Sequence, residues 1–283
     1  MRATNEGSSV EKKRCSKKLI KYLMSLIYNR AVQEPGKLNQ YEAFSPEVYG
    51  ETGFDIIDQM LSRVPLNEND IFLDLGSGVG NVVLHVAAIS QCKVCYGFEK
   101  AEWPAKYAEL MEKEFVFWMN FFGKSYSEFK IYKADFLSDE ETLEIEAQAS
   151  AVKRNITMNE YVREIINEAK LVFVNNYAFG AEVDHQLKLR FCNMAEGSFI
   201  ISSKAFCPLN FRVNSRNLND IGAMLNISEF EPLSGHVSWT DKIINYYFQA
   251  KHLFYSLKIK RIEPQVFSPS MLYRKKIEKM LFL

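Results

Sequence analysis

Residues 71–75, IFLDL, are five strand-forming residues that run without a break into Gly76-Ser77-Gly78-Val79-Gly80, and NVVLHVAAIS (81–90) follows with the composition of a buried helix. A buried strand that enters a glycine-rich turn at the start of a helix is the opening unit of a parallel α/β sheet. Glycines at that turn let the backbone approach a ligand closely at a helix N-terminus. The alternation then repeats. KVCYGFE (93–99), FKIYKAD (129–135), LVFVNN (171–176) and FIISSK (199–204) read as further strands, and 104–122 as a long helix closed by Gly123. Short apolar strands separated by helices predict a parallel sheet with right-handed crossovers. Residues 227–250 read instead as an antiparallel hairpin turning at Leu233-Ser234-Gly235.

Other segments flank or interrupt this pattern. Residues 1–16 read as disordered. Residues 17–33 place Leu19, Tyr22, Leu23 and Leu26 at helical spacing, and Pro35-Gly36 ends that helix. Ser45-Pro46-Glu47 reads as a helix start, and Thr52 precedes a short helix with Phe54, Ile57 and Leu61 on one face. Residues 138–169 read as a long insert between the third and fourth strands. It opens acidic, then shows a capping box at Thr157-Met158-Asn159-Glu160 before a helical run. In 271–283, Tyr273, Ile277, Met280 and Leu281 share one helical face.

Composition narrows the class. No apolar run approaches the roughly 18 residues of a membrane span, and the N-terminus has no apolar core after its charges, so no secretory signal is read. The five cysteines are odd in number and scattered, which predicts free thiols in a reducing compartment. Cys92-x-x-Cys95 has no second pair and falls in a strand, which counts against a zinc or redox role. Asn155-Ile-Thr157 and Asn226-Ile-Ser228 match glycosylation acceptors but are discounted for want of a signal peptide. Three Trp, 14 Tyr and 21 Phe suit a filled core and a site enclosing an apolar or cationic group. A net charge of zero conceals an asymmetry. Residues 1–24 carry seven Lys/Arg and two Glu, and residues 251–283 eight and two, leaving 20 Lys/Arg against 31 Asp/Glu between them. Basic ends on an acidic body predict contact with a polyanion.

A dinucleotide-binding loop requires G-x-G-x-x-G, but position 81 is Asn and Gly80 comes one residue early. A dehydrogenase is therefore disfavoured. The spacing Asp74-Leu75-Gly76-Ser77-Gly78-Val79-Gly80 resembles motif I of class I S-adenosylmethionine-dependent methyltransferases. Two further acids fit that reading. Glu99 ends the second strand, where a carboxylate can accept both ribose hydroxyls, and Asp135 ends the third, where it can accept from an adenine amino group. No phosphate-binding G-x-x-x-x-G-K-[ST] loop is present.

Tyr41-Glu42, FSPEVYGET (44–52), DLGSGVG (74–80), YGFEK (96–100), VNNYAFG (174–180), NFRVNSRNL (210–218) and VSWT (237–240) together resemble the Dot1 (disruptor of telomeric silencing) family, the histone H3 lysine-79 methyltransferases that lack a SET domain. The resemblance covers roughly residues 37–258 in conserved motif order. It implies a seven-stranded Rossmann-like class I domain over 37–258, preceded by a basic tail and helix (1–36) and followed by a basic tail (259–283). It implies S-adenosylmethionine as cofactor. Tyr49, Gly50, Glu51 and Thr52 would form the loop over its methionine part. Phe72, Asp74, Leu75, Gly76, Ser77, Gly78, Val79, Gly80 and Asn81 would cradle it, with Asp74 near its amino group. Glu99 would take the ribose, and Asp135 with Phe136 the adenine. Asn175, Trp239 and Tyr246 would border the channel for the target lysine, although plain core packing also accounts for Trp239 and Tyr246. Arg216 would contact the acidic patch of the histone octamer. The resemblance further implies a nuclear protein whose partner is the nucleosome, with ubiquitylated histone H2B and, through the basic ends, nucleosomal DNA as candidate contacts.

The sequence departs from the family at Asn81 for Gln, Ala134 for Gly and Tyr177 for Phe, in the length of the 138–169 insert, and in lacking most of the long basic stretch that often follows the domain. Methyl transfer from a sulfonium is an in-line displacement by a neutral amine, and free lysine has a pKa of about 10.4. An aromatic-walled channel lowers it by desolvation, so no dedicated base is required. None of the four histidines is an obvious candidate for one, and His85 reads as a packed residue. Two alternatives stay open: a methyltransferase for another protein lysine or a nucleic acid, and a catalytically inactive nucleosome-binding module.

Overall fold

A computed structural model describes residues 13–39, 52–146, 153–230 and 245–252. Expectations for 1–12, for the helix start at Ser45, for the turn at 233–235 and for 271–283 lie outside those residues.

The chain opens with α1 (Lys17–Ala31). Ser16 caps it, its hydroxyl accepting from Leu19 N. A 3₁₀ turn (Pro35–Asn39) follows, then α2 (Phe54–Arg63). The alternating core comprises β1 (Ile71–Leu75), α3 (Asn81–Ile89), β2 (Val94–Glu99), α4 (Glu102–Phe121) and β3 (Glu128–Lys133). After β3 come β4 (Thr142–Glu146), β5 (Lys153–Thr157) and α5 (Met158–Glu168), then β6 (Leu171–Val174), α6 (Ala181–Phe191) and β7 (Phe199–Ser202). β8 (Leu225–Glu229) and β9 (Tyr247–Lys251) complete the described elements.

Seven strands form one sheet in the order β3-β2-β1-β6-β7-β9-β8. β3, β2, β1, β6 and β7 are mutually parallel, β9 runs antiparallel to β7, and β8 antiparallel to β9. β9 alone is therefore reversed, wedged between two strands of the common direction. This is the doubly wound α/β arrangement expected of a class I methyltransferase, with the antiparallel edge read from 227–250. The order reverses between β1 and β6, and ligands bind at the carboxyl ends of strands at such a switch point.

Alternation along β1 divides the core. Ile71, Leu73 and Leu75 point to the face covered by α5 and α6, among Val162, Ile166, Leu187 and Phe191. Phe72 points to the other face, among Ile57, Met60, Val83 and Phe173. A third apolar cluster joins α1, α3 and α4 through Ile20, Leu23, Ile27, Leu84, Met111 and Phe115.

Three expectations are corrected. Residues 13–16, read as part of a disordered end, are ordered: Arg14 bridges to Ser125, and Cys15 is buried with its N–H on Ala88 O. The buried stripe of α1 is Ile20, Leu23, Met24, Ile27 and Ala31, not Leu19, Tyr22, Leu23 and Leu26, and Tyr22 is 63% exposed. Both stripes have helical spacing and share Leu23, and the one richer in branched and flexible apolar side chains wins the interface. The 138–169 stretch is not all insert. Its second half is α5, the crossover helix between β3 and β6, closed at its N-terminus by the expected capping box of Thr157 and Glu160. The added element is the β4–β5 hairpin, a two-stranded sheet of its own. It is pinned to the main core by partly buried Leu143, whose register partner Ile156 is buried.

Candidate active site

The loop after β1 turns through three glycines at positive φ: Gly76 (81°), Gly78 (56°) and Gly80 (84°). Side chains other than glycine rarely adopt this region. Gly76 N and Ser77 N both donate to Phe98 O, at 2.9 and 3.0 Å, so the loop folds back onto the end of β2. Gly97 makes that approach feasible: a Cβ there would sit 2.9 Å from both Ser77 Oγ and Val83 Cγ2. Glu99 then clamps the rim. Its Oε2 accepts from Gly78 N at 2.8 Å and its Oε1 from Ala101 N at 2.7 Å. A carboxylate at this position accepts from the loop that a cofactor would occupy and lies within its reach.

Asp74 lies on the same face of β1 as Phe72, one residue before the strand ends. It is buried, and its Oδ1 has no hydrogen-bond partner among the described residues. Burial pushes its pKa well above the usual carboxylate range, and the neighbouring Glu99 charge adds to this. Asp135, just past β3, accepts from Leu137 N at 2.8 Å through Oδ1, which orders the turn carrying buried Phe136. The Phe136 ring lies 6.2 Å from that of Phe179, which in turn closes over Gly76.

On the far side of the switch point, Asn175 follows β6 directly, and its Oδ1 is buried without a partner. Tyr246 sits just before β9, 1% exposed and stacked on Phe173 at 5.9 Å. Its hydroxyl is 3.4 Å from Thr52 Oγ1. Burial, together with the charge of Asp74, pushes its pKa up to about 12. Thr52, Asp74 and Tyr246 thus meet on one face of the sheet. Ser77 Oγ is a further buried and unpartnered atom of the rim. Phe72, Leu75 and Val79 are core residues that support the loop with their side chains. Asn81 opens α3 after Gly80. Arg216 is exposed in the loop after β7, its N–H bonded to Asn214 Oδ1. Tyr49, Gly50, Glu51 and Trp239 lie outside the described residues.

The structure adds residues that sequence reading missed. Asn176, 1% exposed, donates Nδ2 to Asp184 Oδ1 at 3.0 Å and accepts from Lys204 N at 2.8 Å. It staples the turn behind Asn175 to α6 and to the end of β7. Arg190, 5% exposed, donates Nη1 to Phe136 O at 2.7 Å and Nη2 to Asn159 Oδ1 at 2.6 Å. The sequence signal for Arg190 was its place between Leu187 and Phe191 on an apolar stripe.

These features fit S-adenosylmethionine. The buried, unpartnered acid suits an ammonium group, the glycine loop leaves room for backbone approach, and Glu99 and Asp135 stand at adjacent strand ends where ribose and adenine need acceptors.

A family model described as "Histone methylation protein DOT1" matches residues 28–156 and 146–251. A Drosophila melanogaster protein named "Histone-lysine N-methyltransferase, H3 lysine-79 specific" is 47% identical over 249 residues, covering 87% of this chain and 12% of its own. Proteins of the same name are 30% identical in Emericella nidulans (82% of this chain, 42% of that one) and 27% identical in Caenorhabditis elegans (82% and 23%). The chain therefore spans less than half the length of each of these relatives. The glycine loop, the three strand-end acids and the matched length lead to one assignment: the chain belongs to the Dot1 family of histone methylation proteins.

Proposed function

We propose that this chain transfers methyl groups from S-adenosylmethionine to lysine-79 of histone H3 within nucleosomes, and that it acts in the nucleus. The observation that carries the chemistry is the pair of buried acceptors without a hydrogen-bond partner among the described residues, Asp74 Oδ1 in β1 and Asn175 Oδ1 just past the end of the adjacent β6, at the switch point of the sheet. The family supplies the substrate.

The cofactor, when bound, supplies an electrophilic methyl group on a sulfonium. Asp74 accepts from its ammonium. Glu99 holds the loop through Gly78 and Ala101 and faces the ribose. Asp135 and Phe136 border the adenine. Asn175 positions the incoming amine, and Tyr246 walls the apolar side with Phe173. Tyr246 is a poor base at neutral pH because its proton is held up to about 12. The lysine loses its own proton on leaving water for this apolar setting. Rate comes chiefly from alignment of the two reactants.

The nucleosome is the partner, with Arg216 placed on the histone acidic patch, ubiquitylated histone H2B as a contact and the basic ends on DNA. Arg216→Ala is expected to lower turnover on nucleosomes and leave S-adenosylmethionine affinity unchanged. The primary test offers labelled S-adenosylmethionine with whole nucleosomes and free histone H3 side by side, using Asp74→Ala as control. Label at lysine-79 of nucleosomal H3, lost in the control, supports the proposal. Cofactor binding with no label on any histone overturns it.

A further inference from the structure

At the other end of the strands from the active-site rim lies a second cluster of reactive groups. Cys92 Sγ is 3.2 Å from Cys95 Sγ, the two sulfurs being in direct contact. Ser90 Oγ donates to Cys92 Sγ at 3.1 Å, and Ser127 Oγ donates to Ser90 O at 3.3 Å. Arg14 enters from the segment before α1. Its Nη1 bonds Ser127 Oγ at 3.1 Å and Ala87 O at 2.9 Å. The pair thus stands among hydroxyls and beside a guanidinium.

The two sulfurs are not equivalent. Hydrogen bonds from Cys95, Ser90 and Ser127 hold the Cys92 thiol below the ordinary thiol range, with Arg14 contributing charge. Burial pushes Cys95 well up, as it also pushes up Cys15, Cys192 and Cys207. Only the thiolate is nucleophilic. Cys92 is therefore the attacking group, and Cys95 a protonated thiol waiting beside it.

Access is local. Cys92 is 3% exposed, but it lies between exposed Gln91 and Lys93 in the loop joining α3 to β2. Local opening of that surface loop would admit a small oxidant without unfolding the sheet.

We propose that Cys92 and Cys95 form a redox-active dithiol that a hydroperoxide converts into an intrachain disulfide. In the first step the Cys92 thiolate attacks one peroxide oxygen. An S–O bond forms, the O–O bond breaks, and the leaving oxyanion takes a proton, giving a sulfenic acid. In the second step Cys95 passes its proton to the sulfenic oxygen, and its sulfur attacks Cys92 sulfur as the thiolate. The S–S bond forms, the S–O bond breaks, and the hydroxyl leaves with the Cys95 proton as water. The peroxide gains two electrons and the two thiols lose two. An external dithiol restores both thiols by exchange. None of this depends on the methyl-transfer reading.

The test treats the folded chain with equimolar hydrogen peroxide, alkylates the remaining thiols, digests with trypsin and maps the peptides by mass. Cleavage after Lys93 separates the two cysteines, so a disulfide shows as two peptides still joined. The expected result is that joined pair, released by dithiothreitol, with Cys15, Cys192 and Cys207 alkylated. Cys95→Ser should halt at a sulfenic acid on Cys92, trapped by dimedone, and Cys92→Ala should yield no adduct at Cys95. Full alkylation of both cysteines in peroxide-treated wild type overturns the proposal. So does a first adduct on Cys95, or a disulfide to another cysteine. Peptide mapping of the wild type decides the matter even where a variant fails to fold.

Discussion

Asp74 is a carboxyl group held where ionisation is hardest, and that sets how it must respond to a cation. Its folded pKa is raised by burial and by Glu99, and an arriving ammonium opposes that rise by favouring the ionised carboxyl. Binding of S-adenosylmethionine or its demethylated product should therefore release protons over the range in which the free carboxyl titrates, and affinity should rise with pH across that range. Calorimetry over a pH series in buffers of different ionisation heat reads the released proton directly, and Asp74→Asn should abolish it. His85 gives the opposite sign in stability. It is wholly buried, neither ring nitrogen has a hydrogen-bond partner among the described residues, and burial lowers its pKa to about 4, with Asp58, whose Oδ1 is 3.9 Å from Nε2, opposing. The unfolded chain takes up a proton below the ordinary histidine value of about 6.5 while the folded chain does not, so stability is full above that pH and is lost as pH falls towards the folded value. Urea unfolding should show a loss of about 2 kcal/mol between pH 6.5 and 5, absent in His85→Gln. Asp74, Glu99 and Asp135 were legible in the sequence because strand ends announce themselves by composition. The roles of Asn176 and Arg190 were not, because they depend on partners far along the chain.

At the scale of elements, Arg190 shows how α6 governs a loop it does not follow. Its guanidinium is buried without a carboxylate in contact and has its pKa lowered to about 10 by that burial. It spends two donors on Phe136 O and Asn159 Oδ1. Arg190→Met leaves the Phe136 carbonyl unpaired, and an unmade buried bond costs about 1–3 kcal/mol. Cofactor affinity measured by calorimetry should weaken by about tenfold, a loss of about 1.4 kcal/mol, with Arg190→Lys intermediate and Glu182→Ala, on the exposed side of the same helix, unchanged. The capping box of α5 was readable because a cap is a local device. The buried stripe of α1 was misjudged by one position, because helical spacing alone does not choose between two overlapping stripes. The β4–β5 hairpin was concealed within what read as a single insert. Its strands bury only one matched apolar pair, Leu143 and Ile156, too little periodicity to separate strand from loop.

For the whole molecule, the parallel core and the antiparallel pairing of β8 with β9 were readable from short apolar strands, whereas the order β3-β2-β1-β6-β7-β9-β8 and the insertion of β9 antiparallel beside β7 required the structure. The charge asymmetry also belongs to this scale. If the basic ends hold DNA, deleting 1–24 or 259–283 should weaken nucleosome binding and flatten its dependence on salt. Affinities measured across a salt series check this, and an unchanged slope would remove that role. The reversal of β9 bears on how such ends would work. Its last residues lie beside Phe199, where β7 begins, while Cys15 is held by Ala88 near the end of α3, and Ser125 before β3 by Lys13. The described residues next to the two basic segments, 13–15 and 250–251, therefore lie at the pole opposite the carboxyl ends of the parallel strands. If the basic ends hold DNA, they would act as tethers that raise the local concentration of the chain on its target, and the aim of the site would be left to short-range contacts on the body itself.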